Sequence, residues 1–248
     1  MSAATWIDEF VEQLKRAGVK GMILEAAKYE TISKLAYDPW APAEAPAAAS
    51  DSNKRARPGG PEHLIGEEAE KKVAEMVASG CSHCFMEVSS HALDQKRTYG
   101  LDYDVAIFSN LSHDHLDYHE TFDNYIAAKK ILFDGLAEDA FALVNIDDFH
   151  SEVMVQNTKA KVKTFGLRGA SDFKAKIVEN QFSGMQLQVD GQELWTKLIG
   201  DFNASNLLAV YACGILLEED QLELLTSISN LKTVDGRFEY IKTEQNIT

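Results

Sequence analysis

The stretch CFMEVSSHALDQKRTYGLDYDVAIFSNL, residues 84–111, opens and closes with short apolar runs (84–88 and 105–111), and a third run, FALVNI, follows at 141–146. None alternates apolar with polar residues, so each reads as a strand buried on both faces. A helical pattern from Thr121 to Leu136 separates the last two. Such strands interleaved with helices predict an α/β fold: a mostly parallel sheet with helices on both faces.

Working outward, a helix is expected from about Gly66 to Ser79, with Ala69, Val73, Met76 and Val77 on its buried stripe and Gly80 as a left-handed cap. Before it, Trp6, Phe10, Val11 and Leu14 mark a helix over 5–18, then a strand from Val19 to Leu24 and a helix to about Leu35. All five prolines fall between Pro39 and Pro61, among alanines and small polar residues, which reads as linker or disorder. On the other side, alternating strands from Val162 to about Ile199 predict a small antiparallel β section, with Asp190-Gly191 as a hairpin turn. Helices are expected at about Asn203–Leu217 and Gln221–Asn230, and the end, GRFEYIKTEQNIT, reads as a strand leading out of the domain. The division that follows is an atypical α/β segment (1–37), a linker (38–62), a main domain (63–230) and the start of another (231–248).

At 248 residues, 45% hydrophobic and 25% charged, the chain can bury a sizeable core. The net charge of −15 argues against nucleic-acid or membrane partners, because an acidic field repels phosphate, though a local basic pocket could still take an anionic small substrate. No run of eighteen apolar residues occurs and the N-terminus lacks a basic-then-apolar signal, which points to the cytoplasm. Cys81 and Cys84 form a CxxC, but one that follows a helix and leads into a strand, opposite to a thioredoxin-like motif; free thiols are expected.

Polar residues stand where each apolar run stops: Glu87 to His91, Asn110 to His115, and Asn145 to Asp148. Ligands of open parallel sheets bind beyond the carboxyl ends of strands, so these clusters are candidates for one crevice. In HDHLDYH, residues 113–119, imidazoles and carboxylates could bind a divalent ion, or could cap the next helix and sit solvated. Lys129 interrupts the stripe Phe122, Tyr125, Ile126, Leu132, Phe133 and Leu136. Such a lysine usually lays its stem on apolar surface and brings its ammonium to water. The sharper alternative is that burial keeps the amine neutral, able to take up carbon dioxide and become an anionic carbamate that ligates metal. Lys96 and Arg97 could bind an anion or be a solvated pair.

The segment MEVSSHALDQKRTYGLDYDVAIFSNLSHDHLDYHETFDNYIAAKKILF, with the later IGDFNASNLLAVYACGILL and VDGRFEY, resembles the Mur ligase family, in the branch of the UDP-N-acetylmuramyl-tripeptide synthetases. The likeness covers roughly 63–248 and implies the ATP-binding central domain. The pairing of EVSSHAL with DHLDYH is specific to this branch. The resemblance implies that ATP phosphorylates the terminal carboxylate of UDP-MurNAc-L-Ala-D-Glu and that a diamino acid, diaminopimelate or lysine, attacks the acyl phosphate, with Mg2+ neutralising charge. It implies metal ligation by Glu87, His115 and a carbamylated Lys129, and a catalytic role for the same three residues. It implies substrate binding by Ser89, Gln95 and Arg97, and nucleotide binding by Asn203, Asn206 and Arg237. A monomer is expected.

Two departures stand out. The family's phosphate loop, of the form GxxxxGK[ST], occurs nowhere in the sequence. The chain also stops where a third domain should begin. Impaired ligase activity is therefore expected. The alternative is a non-catalytic ligase remnant that binds nucleotide or a partner. A metallohydrolase built on HDHLDYH is a third reading.

Overall fold

The computed structural model describes residues 21–25, 71, 73–111 and 116–231. The helix expected at 5–18, the one ending near Leu35, the proline-rich linker and the C-terminal strand lie outside the described residues. The chain divides into two compact units, one within 1–102 and 115–131, the other within 103–114 and 132–248.

In the first unit, β1 (Gly21–Glu25) pairs in parallel with β2 (His83–Glu87), Gly21 opposite His83 and Glu25 opposite Glu87. A helical stretch at 73–78 precedes β2 and is closed by Gly80 at φ 83, as its position predicted. Met76 is buried there, but Val77 is 66% exposed and Val73 half-buried, so the expected stripe is narrower than the sequence suggested. Neighbouring residues differ by about 100° around a helix, so Val77 turns away from the line that buries Met76; Gly66 to Ala69 of the expected helix lie outside the described residues.

Helix α1 (Ser90–Asp94) begins where the Ser89 hydroxyl accepts the Ala92 amide at 3.1 Å, satisfying one of the amide donors that a helix start leaves open. It ends in a Schellman motif: Arg97 N–H donates to Ala92 O (2.8 Å) and Lys96 N–H to Leu93 O (3.0 Å). Lys96 takes the left-handed position at φ 55. Helices α2 (Leu116–His119) and α3 (Phe122–Asp134) follow, α3 belonging to this unit as far as Ile131. The Thr121 hydroxyl accepts the Asn124 amide at the start of α3.

In the second unit a six-stranded sheet runs β3 (Val105–Phe108), β4 (Phe141–Asn145), β5 (Lys161–Gly166), β6 (Phe173–Gln181), β7 (Gly184–Val189), β8 (Gln192–Thr196). Pairing is parallel from β3 to β6 and antiparallel from β6 to β8, which is the mostly parallel α/β architecture with its small antiparallel section. The β7–β8 turn has Asp190 at φ 44 and Gly191 at φ 87, the pair of left-handed residues that a two-residue hairpin demands. Helix α4 (Ser151–Val155) packs on β4. Helix α5 (Asp201–Leu216) packs against β3, β4, β5 and β6, and its Ala204, Leu207, Leu208 and Ala212 are buried. Helix α6 (Gln221–Ser229) covers α5 and β8. Phe165, Leu143, Met154, Met185 and Leu187 are fully buried, forming the kind of close-packed core the apolar runs predict.

Candidate functional site

Glu87 is the last residue of β2, and its Oε2 oxygen is closed off from solvent. Lys129 lies on α3, half-buried, with Nζ 5.5 Å from the centroid of the Tyr125 ring. Burial pushes its amine below the usual lysine value, and the nearby negative charge of Glu87 works the other way; burial prevails. The sequence places these two side chains forty-two positions apart, and the fold makes them electrostatic neighbours.

His115, with His113 and Asp114, lies outside the described residues, as does Arg237. Among the described residues no group of three His, Cys, Asp or Glu side chains could hold a metal ion. Magnesium takes oxygen ligands, and an amine is a poor one. An unmodified Lys129 therefore does not fit the ion; a carbamate there would fit, sharing one negative charge over two oxygens near the Glu87 carboxylate.

Around this pair runs a polar and aromatic network within the same unit. The imidazole Nε2 of His119 is 2.9 Å from Ser90 Oγ, both side chains buried. The His119 ring lies 5.5 Å from the Tyr125 ring and 5.4 Å from that of His91. His119, one of the imidazoles of HDHLDYH, is thus held as a structural group. Tyr118 donates its hydroxyl proton to Asp94 Oδ2 (2.8 Å) and accepts from Gln95 Nε2 (3.2 Å), while Gln95 Oε1 accepts from Arg97. Ser89, Gln95 and Arg97 accordingly all stand at the two ends of α1, as cap, C-cap and first residue beyond the left-handed turn. Sequence reasoning overlooked Tyr118 and Asp94. Only the HDHLDYH context pointed toward the tyrosine, and nothing marked the aspartate.

In the second unit, the polar residues after β3 and β4 meet. Asn145 donates to Ser109 O (2.8 Å), and Asp148 accepts the Leu111 amide (2.9 Å) as well as His150 N and Nδ1 (both 2.9 Å). Asp147 accepts the Leu167 amide at 2.6 Å. These groups brace the loops at the carboxyl ends of the strands. Asn145 also reaches Ser205 of α5 at 3.5 Å. Of the two expected nucleotide-binding asparagines, Asn203 is buried with its amide donating to Ile199 O (2.8 Å), and Asn206 is half-buried three residues on.

Cys81, Cys84 and Cys213 are free thiols. Cys84 is exposed, yet desolvation by the surrounding protein and the neighbouring Cys81 push its thiol up to about 11, away from the low values of redox-active cysteines. No helix among the described residues is long and apolar enough to cross a membrane.

Comparison with known proteins gives this geometry its context. The Mur ligase middle domain family matches residues 67–214. The UDP-N-acetylmuramoyl-L-alanyl-D-glutamate--2,6-diaminopimelate ligase of Cytophaga hutchinsonii is 52% identical over 178 residues, 72% of this chain and 37% of that protein. The protein of the same name from Phocaeicola vulgatus is 50% identical over 178 residues, with the same coverage of each chain. The chain thus spans little more than a third of the curated relatives it matches. Among solved structures, one titled for the same ligase superposes with a TM-score of 0.60 at 21% identity, covering 90% of this chain and 49% of that one. MurF from Acinetobacter baumannii gives a TM-score of 0.61 at 14% identity, over 95% and 51%. By the extent of the middle-domain match and the identity to these relatives, the chain belongs to the Mur ligase family.

Proposed function

We propose that the chain is part of an ATP-dependent ligase that adds a diamino acid, diaminopimelate, to UDP-MurNAc-L-Ala-D-Glu in peptidoglycan synthesis. The observation that carries the reading is the electrostatic proximity of Glu87 to Lys129, a half-buried glutamate with one oxygen enclosed near an amine whose charge is disfavoured. The identity to proteins named for that reaction supports it. On this reading Lys129 is carbamylated, and it holds Mg2+ with Glu87 and His115. The ion would neutralise charge on the phosphoryl group in transfer. Arg97 and Gln95, with Ser89, bind and orient the carboxylate-bearing muramyl dipeptide, for which a guanidinium fork is suited. Asn203, Asn206 and Arg237 hold ATP. The working unit is the domain over 63–230, in a monomeric cytoplasmic protein.

The absence of GxxxxGK[ST] from the sequence leaves the ATP phosphates without the usual amide cradle, so we expect slow turnover by the 248-residue chain. The same absence favours a second reading, a ligase remnant that binds nucleotide without turnover. ATP-dependent phosphate release with UDP-MurNAc-L-Ala-D-Glu and diaminopimelate separates the two. Slow release that needs both substrates and stops in Lys129→Ala supports the ligase. Calorimetric binding of Mg-ATP with no release supports the remnant, and release without the dipeptide opposes both.

A further inference from the structure

We propose that Tyr118 is a positioning residue: its hydroxyl fixes the orientation of the Gln95 amide and, through it, the Arg97 guanidinium, for recognition of an anionic substrate. This rests on the reading of Gln95 and Arg97 as substrate-binding groups.

The direction of the relay follows from counting protons. A phenol has one proton to give, and an ionised carboxylate can only accept. Tyr118 Oη lies 2.8 Å from Asp94 Oδ2, so the proton goes there, and the oxygen that remains can only accept from Gln95, 3.2 Å away. Gln95 must then turn its NH2 end to Tyr118 and its carbonyl end to Arg97, the orientation the structure has. An amide side chain is nearly symmetric in shape, so nothing but its partners selects one face over the other. Asp94 thereby acts on Arg97 through two intermediates without touching it.

The backbone supports the same end. Lys96 at φ 55 reverses the chain directly after the C-cap Gln95, and the Arg97 N–H bond to Ala92 O fixes where the arginine leaves the helix. The Tyr118 ring packs on the His91 ring, centroids 4.1 Å apart, and the next residue, His119, bonds Ser90. Consecutive residues of α2 therefore hold both ends of α1: His119 by its buried bond to Ser90, and Tyr118 by packing on His91 and by its hydroxyl at Asp94 and Gln95. Tyr118 keeps 38% of its surface exposed, so its hydroxyl contributes more to orientation than to the core.

The test compares wild type with Tyr118→Phe, which keeps the ring and its packing, and with Asp94→Ala. Calorimetry measures affinity for UDP-MurNAc-L-Ala-D-Glu and, separately, for Mg-ATP. 15N relaxation reports the order of the Arg97 Nε and Gln95 amide groups. The expected result in both variants is about tenfold weaker dipeptide binding, the loss of one charge-assisted network, with Mg-ATP affinity unchanged and Arg97 more mobile. Dipeptide affinity and Arg97 order both equal to wild type in Tyr118→Phe would overturn the relay. A wild type that binds no dipeptide, with Arg97 still loosened by Tyr118→Phe, would overturn the substrate assignment and leave the relay standing.

Discussion

Lys129 Nζ stands 5.5 Å from the centre of the Tyr125 ring, one helical turn along α3. The amine is pushed below its ordinary value near 10.5 because burial outweighs the opposing charge of Glu87. The folded chain therefore resists a proton that the unfolded chain accepts. Between the lowered folded value and 10.5 the unfolded state binds more protons, so this group's contribution makes stability rise with pH. In buffer freed of carbon dioxide and metal, where Lys129 is an unmodified amine, urea midpoints across that range should climb more steeply in wild type than in Lys129→Met. Equal slopes would remove Lys129 from a desolvated site.

The Ser90–His119 bond is buried on both sides. Ser90→Ala leaves an imidazole nitrogen enclosed without its partner, a cost of about 1–3 kcal/mol. Chemical denaturation should show that loss as a lower midpoint at an unchanged slope, and a midpoint equal to wild type would mean that water or another group replaces the hydroxyl.

How much of this could be read beforehand depends on range in sequence. The strands at 105–108 and 141–145 and the turn at Asp190-Gly191 come from local apolar runs and a dipeptide with one backbone solution, and all three stand where expected. Val77 misled because periodicity marks a stripe without its width. Lys129 was conspicuous as a break in an apolar stripe, but its neighbour Glu87 is set by tertiary structure and was inferred only through family likeness. Asp94 gave no signal at all, since its role passes through Tyr118 on a different helix. The asparagine and aspartates at 145–148 looked like ligand groups, and the structure uses them to tie loops together, a role that polar residues at strand ends fill just as well.

Two glycines of the antiparallel section differ in a measurable way. A Cβ on Gly184 (φ 142) would lie 2.4 Å from Thr196 O, whereas one on Gly191 (φ 87) meets nothing within 4 Å. Gly191→Ala should cost about 1–2 kcal/mol, from backbone conformation alone. Gly184→Ala adds a clash with the backbone of β8 and should cost clearly more. Thermal melts of the two variants rank them, and an equal shift would contradict the close approach of β7 to β8.

Crystals grown in bicarbonate and soaked with Mn2+, with anomalous scattering locating the ion, probe the metal site itself. The account predicts manganese bound by a Glu87 carboxylate oxygen, a His115 imidazole and the oxygens of a carbamate on Lys129. Manganese bound elsewhere, with Lys129 an unmodified amine, would contradict it.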